Sequence, residues 1–349
     1  MASPEIRIDQ LTGARVLLAP GRAERPDEFG LNPWQPAGED GCPFCEGNEA
    51  ATPPELEADR PDGSVPDGPG WHTRTVPNLF PALVPQPETG TGDESGPTAA
   101  FASSADPLLA SSRRAEPDMF SSRPAVGHHE VIVNCPRHVS SLAELDEDET
   151  TAAVAAWRSR MRAHSDAAYV QLILNQGPDS GGSIEHSHAQ IGAAPFVPAE
   201  VARERERFNS YRERTAGASL LGEVLREEIR RGDRLVAIDE EVALICPWAS
   251  RFPFEMRIVP RRAAPSFEND EAGAAMLHRA VSALSSLVEG TLQMNLWVKT
   301  APRGLEHFHW HLDLAPRLEP TSSFEMATGV DINVLTPESA AEKLREAIA

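Results

Sequence analysis

The chain has 349 residues, of which 40% are hydrophobic, and it carries a formal net charge of −21. This length suits one large domain or two moderate ones with a substantial buried core. So acidic a surface repels nucleic acid and anionic membranes, and we expect neither as a partner. An anionic small substrate can still bind where a few arginines converge.

Cysteine usage and the N-terminal segment indicate the compartment. Four cysteines are too few for a disulfide framework in a chain of this length. The first residues, MASPEIRIDQLTG, lack the basic and apolar pattern of a signal peptide. Apolar runs all stay short of the roughly 20 residues that span a bilayer. The sequence therefore predicts a reduced, soluble, cytoplasmic protein.

The first half of the chain shows strand patterns, one long polar segment and one helical pattern. The helix has acidic residues early and basic residues late, which suits the helix dipole. The polar segment is rich in Pro, Gly, Ser, Thr, Asp and Glu, which predicts a long mobile surface loop. In chain order the predicted elements are a strand pair, the loop, a strand, the helix and a strand, over residues 5–20, 84–122, 128–135, 141–164 and 168–177.

The second half repeats this order after a charged and helical connector over residues 200–232. Strand, helix, strand and histidine-containing strand occur in both halves, so we interpret the chain as an internal duplication of an α+β unit. We expect one repeat over residues 1–195 and the other over 196–349. The predicted elements of the second repeat are a strand pair, a helix and two strands, over residues 240–262, 271–290, 294–302 and 307–318.

Histidines alternate with other residues near the end of each repeat. In a strand, side chains two apart project from the same face. We therefore expect His186, His188 and Gln190 of GGSIEHSHAQIG to share one face. The second segment, HFHWHLDLAPRL, places His307, His309, His311 and Asp313 in the same way. Histidines in such a pattern often serve as metal ligands or proton carriers. A solvated polar face on an amphipathic strand is the alternative.

A glycine-containing segment precedes the first histidine pair. In NQGPDSGGS, Gly181 and Gly182 permit positive φ and a close approach of backbone N–H groups to an anion, and Ser183 adds a hydroxyl. A plain turn is the alternative. Beside a histidine strand, the segment is typical of a phosphate cradle next to a nucleophile.

The CPFC segment, with Cys42 and Cys45, is a weak zinc signal alone because the usual structural site needs four ligands. The sequence has no second CxxC, so histidines must complete a tetrahedral site. His138 and His186 are the obvious candidates. Two buried thiols in a loop are the alternative.

Together these segments resemble the galactose-1-phosphate uridylyltransferase family of the histidine-triad superfamily, over nearly the whole chain. The segment FEMATGVDIN resembles a divergent prokaryotic branch of that family. The matching segments are GRAERP, CPFCEGNEAATPPE, VPNLFPAL, PRHVSSLAEL, NQGPDSGGSIEHSHAQ, CPWASRFPFEMRIVPRR, FHWHLDLAPRL and LTPESAAEKLRE.

The resemblance implies a fold and a set of roles. The fold would be α+β, a duplicated histidine-triad-like fold whose two repeats of antiparallel sheet and helix pack as one unit. His188 would be the nucleophile, and Gln190 and Ser183 would contact the transferred phosphoryl group. A structural zinc would be held by Cys42, Cys45, His138 and His186. The substrate would be bound by Arg22, Arg25, Asn78, Asn175, Gly181 and Gly182.

Two departures from the family pattern matter. The catalytic triplet of the family is His-Pro-His, whereas residues 186–188 read His-Ser-His. Serine leaves φ free where proline fixes it, so we expect some loss of preorganisation. Family members with a second metal bind it through a glutamate and three histidines. Glu204, His309 and His311 match three of these positions, but Lys299 stands near the fourth.

The activity that the resemblance implies is transfer of UMP from UDP-glucose to galactose 1-phosphate, through a covalent nucleotidyl-histidine, by a homodimer. The partners would then be a nucleotide sugar and a sugar 1-phosphate. One alternative is phosphorolysis of ADP-glucose by the same histidine. Another is a zinc-stabilised nucleotide-binding protein without transferase activity.

Overall fold

The computed structural model describes residues 3–24, 33–86 and 124–348. Most of the predicted loop over 84–122 lies outside these residues, as does Arg25. The strands in the described part are β1 Glu5–Ile8, β2 Arg15–Leu18, β3 Glu57–Asp59, β4 Thr73–Pro77, β5 His128–Val133, β6 Tyr169–Gln176, β7 His188–Ala194, β8 Leu235–Ile238, β9 Val242–Ile245, β10 Met256–Pro260, β11 Met294–Lys299, β12 His311–Pro316 and β13 Asp331–Asn333.

The described part of the chain contains six α-helices. Five of them run for twelve residues or more, and the helical patterns predicted over residues 141–164, 200–232 and 271–290 are confirmed in their main parts. The helices are α1 Glu147–Ala163, α2 Ala199–Arg214, α3 Leu220–Arg231, α4 Ala274–Ser286, α5 Ser323–Thr328 and α6 Pro337–Ile348. In the described part of the chain, no helix is long and apolar enough to cross a membrane.

Ten of these strands form one sheet, in the order β3-β4-β5-β7-β6-β11-β12-β10-β9-β8, with antiparallel neighbours throughout. At its centre β6 pairs with β11, with Asn175 opposite Asn295. Strands from both halves of the chain therefore share one sheet. A smaller sheet joins the chain ends, because β13 pairs parallel with β2.

The main core lies on one face of the large sheet, under α1, α4 and α6. Alternate residues of the central strands point into it, such as Leu172 on β6 and Leu296 on β11. Trp157 of α1 is fully buried there, and its indole N–H donates to Asn134 Oδ1 at 2.9 Å. The opposite face of β6 and β11 is half-exposed and carries polar side chains together with Ile173 and Trp297, and we call it the open face.

Helix α1 shows how the sequence sets an element boundary. The Asp146 carboxylate caps it by accepting from the Glu149 N–H at 2.8 Å, and the Glu149 carboxylate accepts from the Asp146 N–H at 3.0 Å. Such a capping box satisfies N–H groups that have no partner inside the helix. The helix therefore starts at Glu147, six residues later than the sequence pattern predicted.

Two predicted strands start later than expected. Strand β7 starts at His188 and β12 at His311, so His186 and His309 precede their strands. The cause is visible in the first repeat, where the N–H of Ser187 donates to Val139 O at 2.7 Å, outside the sheet ladder. The prediction that His186, His188 and Gln190 alternate within one strand is wrong for His186.

Candidate active site

His188, the first residue of β7, has a fixed tautomer. Its Nδ1 lies 2.8 Å from the carbonyl oxygen of His186, and a carbonyl only accepts hydrogen bonds. The proton is therefore on Nδ1, and Nε2 carries a lone pair. The side chain is buried, and burial lowers the pKa of His188 despite that hydrogen bond. The ring is thus neutral near pH 7, with a nucleophilic nitrogen available.

Gln190 lies two residues further on, and His129 of β5 orients its amide. The Ala82 N–H donates to His129 Nδ1 at 3.0 Å, so the ring proton is on Nε2. This Nε2–H donates to Gln190 Oε1 at 2.9 Å. The Gln190 amide nitrogen is left as a donor. His129 is half-buried beside Gln190, a contact that the strand pattern predicted over residues 128–135 does not reveal.

The glycine segment forms a tight loop after β6. Gly177 and Gly181 have φ of 87° and 84°, which side-chain-bearing residues rarely adopt. A Cβ on Gly182 would lie 2.8 Å from Asn175 O and 2.9 Å from Gly177 O, so only glycine fits there. Ser183, at the end of the loop, is exposed.

The predicted nucleotide-contacting side chains sit in different settings. Asn78 is half-buried, and its Oδ1 accepts from the Phe80 N–H at 2.8 Å. Its Nδ2 lies 3.3 Å from His129 Nε2, which places it beside the Gln190 amide. Asn175 lies on the open face of β6. Arg22 is exposed on the short 3-10 helix Pro20–Glu24.

The four predicted metal ligands come together in one group. Their ligand atoms all lie within 4.8 Å of one another. His186 Nδ1 is 3.6 Å from both Cys42 Sγ and Cys45 Sγ, and His138 Nδ1 is 3.4 Å from Cys45 Sγ. A tetrahedral zinc, with bonds of about 2.3 Å to sulfur and about 2.0–2.1 Å to nitrogen, holds such ligands about 3.6 Å apart. The geometry fits a metal ion.

The tautomer of His186 also fits. Its Nε2 lies 2.9 Å from the carbonyl oxygen of Cys135 and must donate to it, so Nδ1 offers its lone pair to the cysteine side. Burial lowers the pKa of His186 to about 4. A neutral imidazole is the form that binds metals.

The second predicted metal set, Glu204, His309 and His311, is not brought together as one close group of ligand atoms. His309 Nε2 donates to Pro260 O at 2.8 Å, and its Nδ1 faces the Ser219 hydroxyl at 3.4 Å. The three residues do not form one of the close ligand groups found in the described part of the chain. The second-metal prediction is therefore not supported.

A cation of the chain itself stands beside Glu204 instead. The Lys299 ammonium is 3.6 Å from Glu204 Oε2, and His311 Nε2 is 3.5 Å from Oε1. Neither oxygen has a hydrogen-bond partner in the described part of the chain. Burial raises the pKa of Glu204 to about 7, an effect that Lys299 partly offsets. This group lines a cavity of about 760 Å³ on the open face, which residues of both halves form, among them Gln171 and Ile173 of β6.

Another close group, His128, Glu130 and His164, is already occupied by a cation of the chain. The Arg160 guanidinium donates to both Glu130 oxygens, at 2.9 and 2.8 Å, and His164 Nε2 lies 2.7 Å from the same carboxylate. The positive charge of Arg160 would repel a metal ion at this position. We read this group as a structural ion-pair network, which the sequence pattern did not indicate.

Sequence comparison finds similar proteins over nearly the whole chain. Residues 72–198 match the family model of the N-terminal domain of galactose-1-phosphate uridyl transferase. ADP-glucose phosphorylase of Arabidopsis thaliana is 29% identical over 361 residues, which cover 99% of this chain and 93% of that protein. Galactose-1-phosphate uridylyltransferase of Haemophilus influenzae is 28% identical over 364 residues, covering 98% and 94%.

Solved structures confirm the predicted fold class. The crystal structure of an ADP-glucose phosphorylase from Arabidopsis thaliana with bound ADP-glucose superposes with a TM-score of 0.76 at 26% identity, over 99% of both chains. A uridylyltransferase structure gives a TM-score of 0.69 at 22% identity, over 99% of this chain and 98% of that one, and shows the shared fold alone.

Proposed function

We propose, from the premise that the chain belongs to the galactose-1-phosphate uridylyltransferase family, that it transfers a nucleotidyl group from a nucleoside-diphosphate sugar through His188. The observation that carries the proposal is the tautomer of His188. Because Nδ1 donates to His186 O at 2.8 Å, the lone pair of Nε2 is held ready for attack. A neutral imidazole of this kind is a competent nucleophile near pH 7.

The reaction takes place in two displacements. His188 Nε2 attacks the α-phosphorus, an N–P bond forms, and the bond from phosphorus to the bridging oxygen breaks, which releases the sugar 1-phosphate. A phosphate oxygen of the acceptor then attacks the same phosphorus, and the N–P bond breaks. The ring gains positive character while it carries the nucleotide, and the bond from Nδ1–H to His186 O stabilises that charge.

The remaining groups supply donors and charge rather than acid–base chemistry, as phosphoryl transfer requires. The Gln190 amide nitrogen, the Ser183 hydroxyl and the N–H groups of the loop at Gly181 and Gly182 would contact the transferred phosphoryl group. Asn78 and Asn175 would hold the nucleotide. Arg22 and Arg25 would neutralise phosphate charge with forked donors, which lysine could not reproduce.

The cysteine and histidine group would hold a structural zinc. When bound, zinc supplies a rigid cross-link and no Lewis-acid step, since all four ligand positions belong to the protein. His186 would be a ligand in this group, and its carbonyl oxygen accepts the hydrogen bond from His188 Nδ1–H. The group therefore fixes the nucleophile from two residues away.

Two acceptors are consistent with this chemistry. Phosphorolysis of ADP-glucose, with inorganic phosphate as acceptor, is favoured by the 29% identity to a protein of that activity over 99% of this chain. Transfer of UMP from UDP-glucose to galactose 1-phosphate is favoured by the family match over residues 72–198. The same histidine serves both reactions.

Intact-mass spectrometry after incubation with ADP-glucose or UDP-glucose tests the proposal. We expect an AMP or UMP adduct on His188 and release of glucose 1-phosphate, and the adduct identifies the donor. Phosphate or galactose 1-phosphate should then discharge it. His188→Ala should form no adduct, whereas His72→Ala, which removes an exposed histidine, should behave as wild type. Wild-type protein that binds a nucleotide sugar but forms no adduct would instead be a binding protein.

A further inference from the structure

Two residues of the second half reach the proposed nucleotide site through the central strand pair. Asn295 of β11 lies opposite Asn175 of β6. Its Nδ2 is 2.7 Å from Asn175 Oδ1 and 2.9 Å from Ser180 O in the glycine loop. Arg317, just after β12, places its Nε 2.6 Å from Asn295 Oδ1.

The direction of every hydrogen bond in this series follows from its first member. An arginine side chain only donates, so the Asn295 atom that faces it must be the oxygen. The Asn295 nitrogen then donates to Asn175, and the Asn175 atom that faces it must be its oxygen. The Asn175 nitrogen is left as a donor on the open face, with no partner in the described part of the chain.

Arg317 is itself held in place. Its backbone N–H donates to Gln293 O at 2.8 Å, and its guanidinium lies 5.0 Å from the centre of the Phe252 ring. The side chain is half-buried, and burial lowers its pKa, as does the neighbouring Arg251. It remains charged at neutral pH, so it is a permanent donor.

We propose that Arg317 and Asn295 are positioning residues that fix the Asn175 amide with its nitrogen toward the phosphates of the substrate. This rests on the proposed function, in which Asn175 contacts the nucleotide. An amide in the opposite orientation would present an oxygen to an anion. Residues of the second half thus determine whether Asn175, in the first half, presents a donor or an acceptor to the substrate.

Three variants test this assignment by steady-state kinetics with ADP-glucose and phosphate, or with the donor that forms the adduct. Arg317→Met removes the initial donor and should lower kcat/KM roughly 10- to 100-fold, as loss of an outer-shell partner does in other sites. Asn295→Asp still accepts from Arg317 but cannot donate to Asn175, so it should cause a similar loss. Arg317→Lys keeps a donor and should recover most of the activity.

A double-mutant cycle separates positioning from general damage to the fold. If Arg317 acts through Asn175, Arg317→Met should lower kcat/KM in the wild type but change it less than about threefold in an Asn175→Ala background. The thermal midpoint of each variant is measured alongside. Arg261→Met, which removes an exposed arginine bonded to a backbone carbonyl at 2.8 Å, serves as the control and should match wild type.

Equal losses in both backgrounds, or full activity of Arg317→Met, would overturn the assignment while leaving the proposed function intact. Failure of the proposed function is distinguishable, because wild-type protein would then form no adduct with either donor.

Discussion

His129 Nε2 lies 2.9 Å from Gln190 Oε1, and the proton between them belongs to the histidine. The Ala82 N–H donates to the other ring nitrogen at 3.0 Å, so that nitrogen carries the lone pair and the ring proton is on Nε2. The glutamine amide is therefore held with its nitrogen free to donate to a phosphoryl oxygen.

Replacing His129 by phenylalanine should lower kcat roughly 10- to 100-fold, because the amide loses the donor that orients it. The ring size is nearly kept, so the fold should survive. Stopped-flow or quenched measurement of adduct formation reads the step directly. His128→Ala, at the neighbouring exposed position, should leave the rate unchanged. Equal rates for the two variants would show that Gln190 needs no orienting partner.

Purified protein should contain about one zinc ion per chain, and Cys45→Ser should lose it. The structural ligands also stabilise the fold, so loss of the ion should lower the free energy of unfolding by more than about 4 kcal/mol. Metal analysis and thermal denaturation check both effects. Cys135→Ser is the matched control, because its thiol donates to Arg137 O at 3.1 Å, outside the ligand group, and serine can do the same. Retention of zinc by Cys45→Ser would contradict the assignment.

Glu130 should contribute stability that disappears in acid. Burial alone would raise its pKa, but bonds from His164 and Arg160 more than offset this and hold the pKa at about 2, below the ordinary 4.5. A depressed carboxyl pKa stabilises the fold above pH 4.5, and that contribution declines as the pH falls toward 2. Glu130→Gln should thus cost on the order of 3 kcal/mol at pH 7 and clearly less at pH 3.5. Urea unfolding at both pH values measures this, with the exposed Glu147→Gln as a neutral control.

Lys299 should contribute more to the stability of the fold at alkaline pH than at acidic pH. The pKa of the buried Glu204 carboxyl is raised to about 7, so its ionised form is costly and Lys299 offsets part of that cost. A raised carboxyl pKa favours the folded state at low pH, and this advantage is lost as the pH rises through 7. Lys299→Met should therefore destabilise the protein more at pH 8 than at pH 5.5. Adding Glu204→Gln should remove the difference. A loss independent of pH would point to packing instead.

The sequence predicted most elements because their signals are local. Strand alternation identified β5, β6 and β11, and charge distribution identified α1. The ends of the helices and strands were predicted less accurately. The pattern over residues 141–164 overlooked the cap at Asp146, and the pattern over 307–318 included His309, which precedes its strand. Such ends depend on backbone groups bonding outside the element, and side-chain periodicity does not record them.

The candidate site was predicted where residue chemistry or family resemblance identified its members, and it was overlooked where only strand pairing brings residues together. The Cys and His group followed from ligand chemistry and family resemblance, and its four members do meet. His129 reads as a polar strand end until β5 is placed beside β7. Asn295 is 120 residues from Asn175, and only the β6–β11 pairing makes them neighbours. The domain boundary at 195 and the individual catalytic roles stay predictions.

The pairing of β6 with β11 matters when the chain is cut into its two halves. A cut between β7 and α2 would leave two pieces that still complete one another within a single sheet. Either piece made alone would present a central strand as a bare edge, rich in apolar side chains and with unpaired backbone groups, which is a template for aggregation. Complementation between co-expressed pieces, rather than solubility of each, is what this architecture permits.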